Sequence, residues 1–215
     1  MLTRPILVAY ASRHHGTEEM ATEIAAALRE AGFSVDLRAA AEVSTTEPYG
    51  AVVVGSAVYL TEWERPALEL IQRERDVLAG RRVWLFSSGP VGDGRATRHP
   101  ESVPQPAVVD RLADEIGVRG RAMFGGRVDP RQDSFAMEIM AQAGLAGDWR
   151  DLPRVRGWAL EIASALRADA PLSRQDRDDR PGMEEGLHAK IGHLAGRPAG
   201  RRAAHRHGCG RARRS

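Results

Sequence analysis

The sequence predicts an α/β protein built on a doubly wound, five-stranded parallel sheet in the order 2-1-3-4-5, with a C-terminal tail outside it. Three observations carry this expectation. Short apolar segments alternate five times with segments of helical periodicity, most of the strand-like segments are apolar throughout, and both patterns stop near Ala170. Continuously apolar strands suit a parallel sheet covered by helices on both faces. Right-handed crossovers then leave the doubly wound order as the natural arrangement.

The first strand is Ile6-Leu7-Val8-Ala9-Tyr10, brief and closed by turn residues. Met20, Ala21, Ile24, Ala25 and Leu28 recur at helical spacing, and Gly32 ends that helix. Phe33-Ser34-Val35-Asp36-Leu37 alternates as a half-buried strand does, and Ala51-Val52-Val53-Val54-Gly55 is a third strand, apolar throughout. Ala67, Leu68, Leu70 and Ile71 mark a second helix, with Pro66 tolerated in its first turn. Val83-Trp84-Leu85-Phe86 is the fourth strand, followed by a long Gly- and Pro-rich loop over Val91–Pro106. Val108, Leu112, Ala113 and Ile116 form a third helix, and Ala122-Met123-Phe124-Gly125 the fifth strand. Two helical stretches follow. Phe135–Ala143 has mixed spacing, whereas Val155, Trp158, Ala159, Ile162 and Leu166 make a clean stripe. Residues 1–169 are therefore expected to be one domain. Residues 170–215, polar and then Arg-rich with a weak helix over Glu184–Leu194, are expected to be disordered.

Composition narrows the function classes. The sequence pI of about 9.1 reflects a local excess, because seven arginines and no acid follow Gly196. Such a tail would contact polyanions weakly and without sequence preference. No run approaches the roughly 20 apolar residues of a membrane helix. Cys209 is the one cysteine, which excludes an intrachain disulfide, and Met1–Pro5 show no cleavage pattern, so a cytoplasmic location is expected. His14 and His15 are adjacent and cannot share a metal from one helix face, and the tail histidines lack finger spacing, so no metal site is expected. No Walker loop, dinucleotide fingerprint or nucleophile elbow is present.

In doubly wound sheets ligands sit beyond the carboxyl ends of the strands, which directs attention to the loops after strands one, three and four. Ser12-Arg13-His14-His15-Gly16-Thr17 joins the first strand to a helix. It offers hydroxyls, a glycine and the unpaired N–H groups of a helix start, a receptor for a phosphate dianion. The bland alternative is that Thr17 only caps the helix while Glu18 and Glu19 complement its positive end. After the third strand, Ser56, Ala57, Val58 and Tyr59, with Trp63 close behind, could bond and stack on a flat ligand, or simply plug the end of the sheet. After the fourth, Ser87, Ser88 and Gly89 suit close backbone approach or form a tight turn.

Tyr10–Ala21 resembles the phosphate-loop signature of the flavodoxin family. Within that family the chain is most similar to the flavodoxin-type, menaquinone-dependent protoporphyrinogen oxidase group. Gly55–Tyr59 resembles that group's second flavin loop, and Phe124–Pro130 the segment after its fifth strand. Asp148–Asp151 with Val155–Leu166 resembles its approach to the last helix. The resemblance implies an FMN-binding, flavodoxin-like fold, with Ser12, His14, Gly16 and Thr17 at phosphate-loop positions. Ser56, Ala57 and Tyr59 fall on the second flavin loop, and Ser87, Ser88 and Gly89 on the third. The family loop usually carries glycine where this chain has His15, so a positive φ there would cost roughly 1 kcal/mol, although histidine tolerates it better than most residues.

The implied function is an FMN-dependent oxidoreductase or electron carrier whose partner is a redox protein, a quinone or a porphyrinogen-like substrate. Protoporphyrinogen oxidation, and with it heme biosynthesis, rests on the likeness alone, and a homodimer is left open. No catalytic residue is expected, because the cofactor performs the redox chemistry. The rival is a flavodoxin-like scaffold that has lost FMN and serves as an interaction or regulatory module. The His15 departure and the Glu18-Glu19 pair motivate it.

Overall fold

β1 (Ile6–Ala11), β3 (Ala51–Tyr59) and β5 (Arg82–Ser88) form the centre of a parallel sheet, flanked by β2 (Val35–Ala39) and β6 (Gly120–Phe124). The order is β2-β1-β3-β5-β6, and every pairing along it is parallel. This is the expected doubly wound order. The label shift comes from β4 (Glu62–Trp63), a two-residue strand that turns back antiparallel on β3. The computed structural model describes residues 3–59, 62–89, 99, 104–129, 138–139, 142, 144 and 146–169. The expected helix over Phe135–Ala143 lies outside these apart from isolated positions, as do most of the Val91–Pro106 loop and the whole tail from 170.

The apolar runs are continuous because successive side chains enter different cores. Ile6, Val8, Ala51, Val53, Trp84 and Phe86 face α1 (Gly16–Glu30) and α5 (Leu152–Ala168). Leu7, Ala9, Val52, Val54, Val83 and Leu85 face α2 (Arg65–Arg73), α3 (Arg75–Ala79) and α4 (Ala107–Ile116). Strands with one wet face would alternate instead. The α5 stripe of Val155, Ala159, Ile162 and Leu166 is buried against the first core, as its spacing requires.

The second strand begins two residues later than its alternation predicts. Gly32 takes φ 88° and donates to the Arg29 carbonyl at 2.8 Å, and the Phe33 N–H reaches the Leu28 carbonyl at 3.1 Å. This double bond pattern closes α1 and consumes Phe33 as part of the helix end.

Close approaches fix two glycines. Gly55 lies opposite Phe86, and a Cβ there would sit 2.0 Å from the ring. Phe86 in turn stacks against Phe124 and Trp158 at 6.3 and 6.1 Å between centroids. Beyond β6, β7 (Arg127–Val128) pairs antiparallel with β8 (Gly147–Asp148), and Trp149 N–H donates to the Gly126 carbonyl at 3.0 Å. A Cβ on Gly125 would meet the Trp149 carbonyl oxygen at 2.1 Å. Among the described residues no helix is long and apolar enough to cross a membrane.

Candidate functional site

The register places the three candidate loops side by side, since Ala11 pairs with Ser56 and Ala57 with Ser88 at the carboxyl ends of β1, β3 and β5. The turn after β1 delivers the chain into α1 through His15, whose φ of 58° and ψ of −5° lie in the left-handed region. It is the one non-glycine residue there among those described. This is the conformation for which the absent glycine was expected to matter.

His15 caps the helix with its backbone only; its side chain accepts no first-turn N–H. The ring is 75% exposed, with Nδ1 held 2.6 Å from Glu18 Oε2. No cap side chain therefore covers the N–H groups of Gly16, Thr17 and Glu18, and the aligned peptide dipoles add to their attraction for an anion. Thr17 lies in this turn, is 1% exposed, and its Oγ1 has no hydrogen-bond partner. A buried hydroxyl without a partner is costly unless a ligand satisfies it. Gly16 is uncrowded: an added Cβ would meet only Arg127 Cβ, at an ordinary contact distance of 4.0 Å. The alternative weighed for Thr17, that it only caps the helix, finds no cap bond from its hydroxyl.

Acidic residues beside this turn are tied to specific partners. Tyr10 Oη donates to Glu18 Oε1 at 2.8 Å, and the hydrogen bonds from His15 and then Tyr10 hold the Glu18 carboxyl below the usual range. Glu19 is gripped by Arg127 Nη1 at 3.2 Å and by Arg150. Arg127 also donates through Nη2 to the His14 carbonyl at 3.3 Å, and Arg150 is anchored by Asp148 at 2.6 Å. Its guanidinium, mostly buried, is raised above the ordinary arginine range chiefly by that carboxylate, which is itself lowered. Sequence reasoning missed both arginines. Their approach depends on the β7–β8 pairing, more than a hundred residues along the chain from α1.

Tyr59 stands over the same turn. The His14 ring meets it edge-on at 6.0 Å and 81°, and the Arg13 guanidinium lies 5.9 Å from its centroid. Arg13 is tied by a 2.8 Å ion pair to Glu64, which is 7% exposed, just before α2. Burial first, and then Glu64, pushes the Tyr59 hydroxyl up to about 12. Burial first, and then Arg13, lowers His14.

Other candidates are spent inside the protein. Ser56 is fully buried; its hydroxyl donates to the Ala57 carbonyl and accepts the Glu64 N–H, both at 2.9 Å. Ser87 is likewise buried, accepting Trp63 Nε1 at 2.8 Å and donating to Gln105 Oε1 at 2.5 Å. These two side chains brace the sheet end, their hydroxyl protons already committed within the protein. Trp63, at 4% exposed, is a plug and not a stacking surface. Ala57 and Ser88 are buried and Val58 half-buried at the same rim. Gly89 turns the chain with φ 129° and donates to the Phe124 carbonyl at 2.9 Å.

The sequence profile of the flavodoxin domain family matches residues 7–143. No curated protein matches the sequence. Among solved structures, a flavodoxin from the domain Archaea is similar at 14% identity and TM-score 0.51, covering 76% of this chain and 99% of its own. Oxidised flavodoxin 2 from Bacillus cereus is similar at 20% identity and TM-score 0.50, with the same two coverages. Rubredoxin oxygen:oxidoreductase from Desulfovibrio gigas gives 18% identity and TM-score 0.52 over 77% of this chain, which spans only 37% of that protein.

Proposed function

The chain belongs to the flavodoxin domain family, and from that premise we propose that it binds FMN and serves as an electron carrier or FMN-dependent oxidoreductase. The observation that carries the reading is the buried Thr17 hydroxyl without an acceptor at a helix start whose N-cap side chain is turned elsewhere. The N–H groups of Gly16, Thr17 and Glu18, with the Thr17 and Ser12 hydroxyls, would hold the phosphate. Arg127 and Arg150 bind Glu19, and so remove a carboxylate charge that would otherwise oppose the dianion. Tyr59 supplies an aromatic face at the rim, and Gly89 lets the backbone come close to a flat ring. Bound FMN would supply the one- and two-electron chemistry. The chain's own task is then to orient the ring, exclude water from one side and govern which partner approaches.

The finer reading, a quinone-linked enzyme acting on a porphyrinogen-like compound or a carrier serving a redox protein, is supported by the resemblance of Phe124–Pro130 and Asp148–Asp151. These two segments meet each other at the β7–β8 pair. Absorption spectra of the purified full-length protein, before and after adding FMN, test the proposal. A flavin band that stays with the protein, and quenching of FMN fluorescence, are the expected results. A colourless protein that leaves FMN fluorescence unchanged would overturn it in favour of a scaffold that has lost the cofactor.

A further inference from the structure

Four guanidinium groups crowd the opposite end of the sheet, where the strands begin. Arg4 precedes β1, Arg81 and Arg82 enter β5, and Arg119 precedes β6. Together with glycines such as Gly80 and Gly117 they line a cavity of about 550 Å³. Gly117 leaves that wall open, since a Cβ there would meet nothing within 4 Å.

The charges are arranged in two pairs. Arg4 Nη1 and Arg81 Nη2 both reach the Glu47 carbonyl oxygen at 3.3 Å, so two like charges share one neutral acceptor. Arg82 Nε and Arg119 Nη1 share Asp169 Oδ2, at 3.1 and 3.2 Å. Arg81 Nε is buried with no hydrogen-bond partner at all. Among the described residues Asp169 is the one carboxylate bonded to any of the four, and Arg4 and Arg81 meet only a neutral carbonyl. Repulsion between neighbouring guanidiniums falls when an anion enters, and forked donors suit phosphoryl oxygens.

We infer that this cavity is a binding site for a small anion carrying two or more phosphoryl groups, separate from the site at the carboxyl ends of the strands. The volume exceeds what one phosphate fills, and the two arginine pairs offer two places for charge. None of the described lining residues is aromatic, which favours phosphoryl groups over a base or a ring. The inference goes beyond the flavin reading and does not depend on it.

Calorimetric titration of the full-length protein with sodium tripolyphosphate tests this, with sodium sulfate at matched ionic strength as the screening control. One-to-one binding is expected, and sulfate should not reproduce it. The exposed-site double variant R4Q/R119Q should weaken it at least tenfold while leaving the circular dichroism spectrum and FMN titration unchanged. A full-length variant with the arginines of residues 201–214 changed to glutamine should bind as the unaltered protein does. Absence of binding, equal displacement by sulfate, or loss in the tail variant with R4Q/R119Q unaffected would each overturn the inference.

Discussion

Thr17 and His15 set the terms of the proposed site, and each makes a prediction that can be read on one residue. Replacing Thr17 by valine keeps the shape and removes a buried hydroxyl without an acceptor. The cofactor-free protein should gain about 1 kcal/mol in urea denaturation, while FMN affinity falls roughly tenfold and riboflavin affinity is unchanged. Opposite signs in the two measurements are what a ligand-directed hydroxyl produces; a merely structural one would lower stability and leave affinity alone. His15→Gly should stabilise the protein by ~0.5–1 kcal/mol, because glycine takes the left-handed conformation at little cost. The His15 requirement was legible in the sequence through the resemblance that flagged a missing glycine. The fates of Ser56 and Ser87 were not. Each hydroxyl is taken by a residue from a neighbouring segment, Glu64 in one case and Trp63 with Gln105 in the other, and no local pattern announces such pairings.

At the scale of elements, burial on both faces made the five long strands readable, since every second residue must be apolar on each side. The two-residue strands β4, β7 and β8 were not readable, because so short a segment has no period and its pairing is set by tertiary contact. β3 carries a sharp test. Gly55→Ala places a methyl group where the Phe86 ring already lies, and Phe86 is locked by Phe124 and Trp158. Chemical denaturation should show a loss of about 3 kcal/mol. The start of α5 offers a milder one. Asp151 accepts the Arg154 N–H at 3.0 Å, so Asp151→Ala should cost ~1 kcal/mol.

For the molecule as a whole, the alkaline limb of stability is set by tyrosines. Tyr10 is pushed up to about 12, by burial first and then by its bond to Glu18, and Tyr59 is pushed up to about 12 chiefly by burial. In the unfolded chain both would titrate near 10. Between those values the folded state holds protons that the unfolded state has released. Stability from these groups is therefore complete below pH 10 and declines as pH rises towards 12. Urea midpoints measured across that window should fall, and the fall should be shallower in Tyr10→Phe and Tyr59→Phe.

The antiparallel pairing of β7 with β8 has one more consequence. It fastens both ends of residues 129–146 to the same small staple, so Arg127 and Arg150 keep their grip on Glu19 whatever lies between them. Exchanging residues 132–144 for a short Gly-Ser spacer should therefore leave the proposed uptake of FMN unchanged, as quenching of its fluorescence would show.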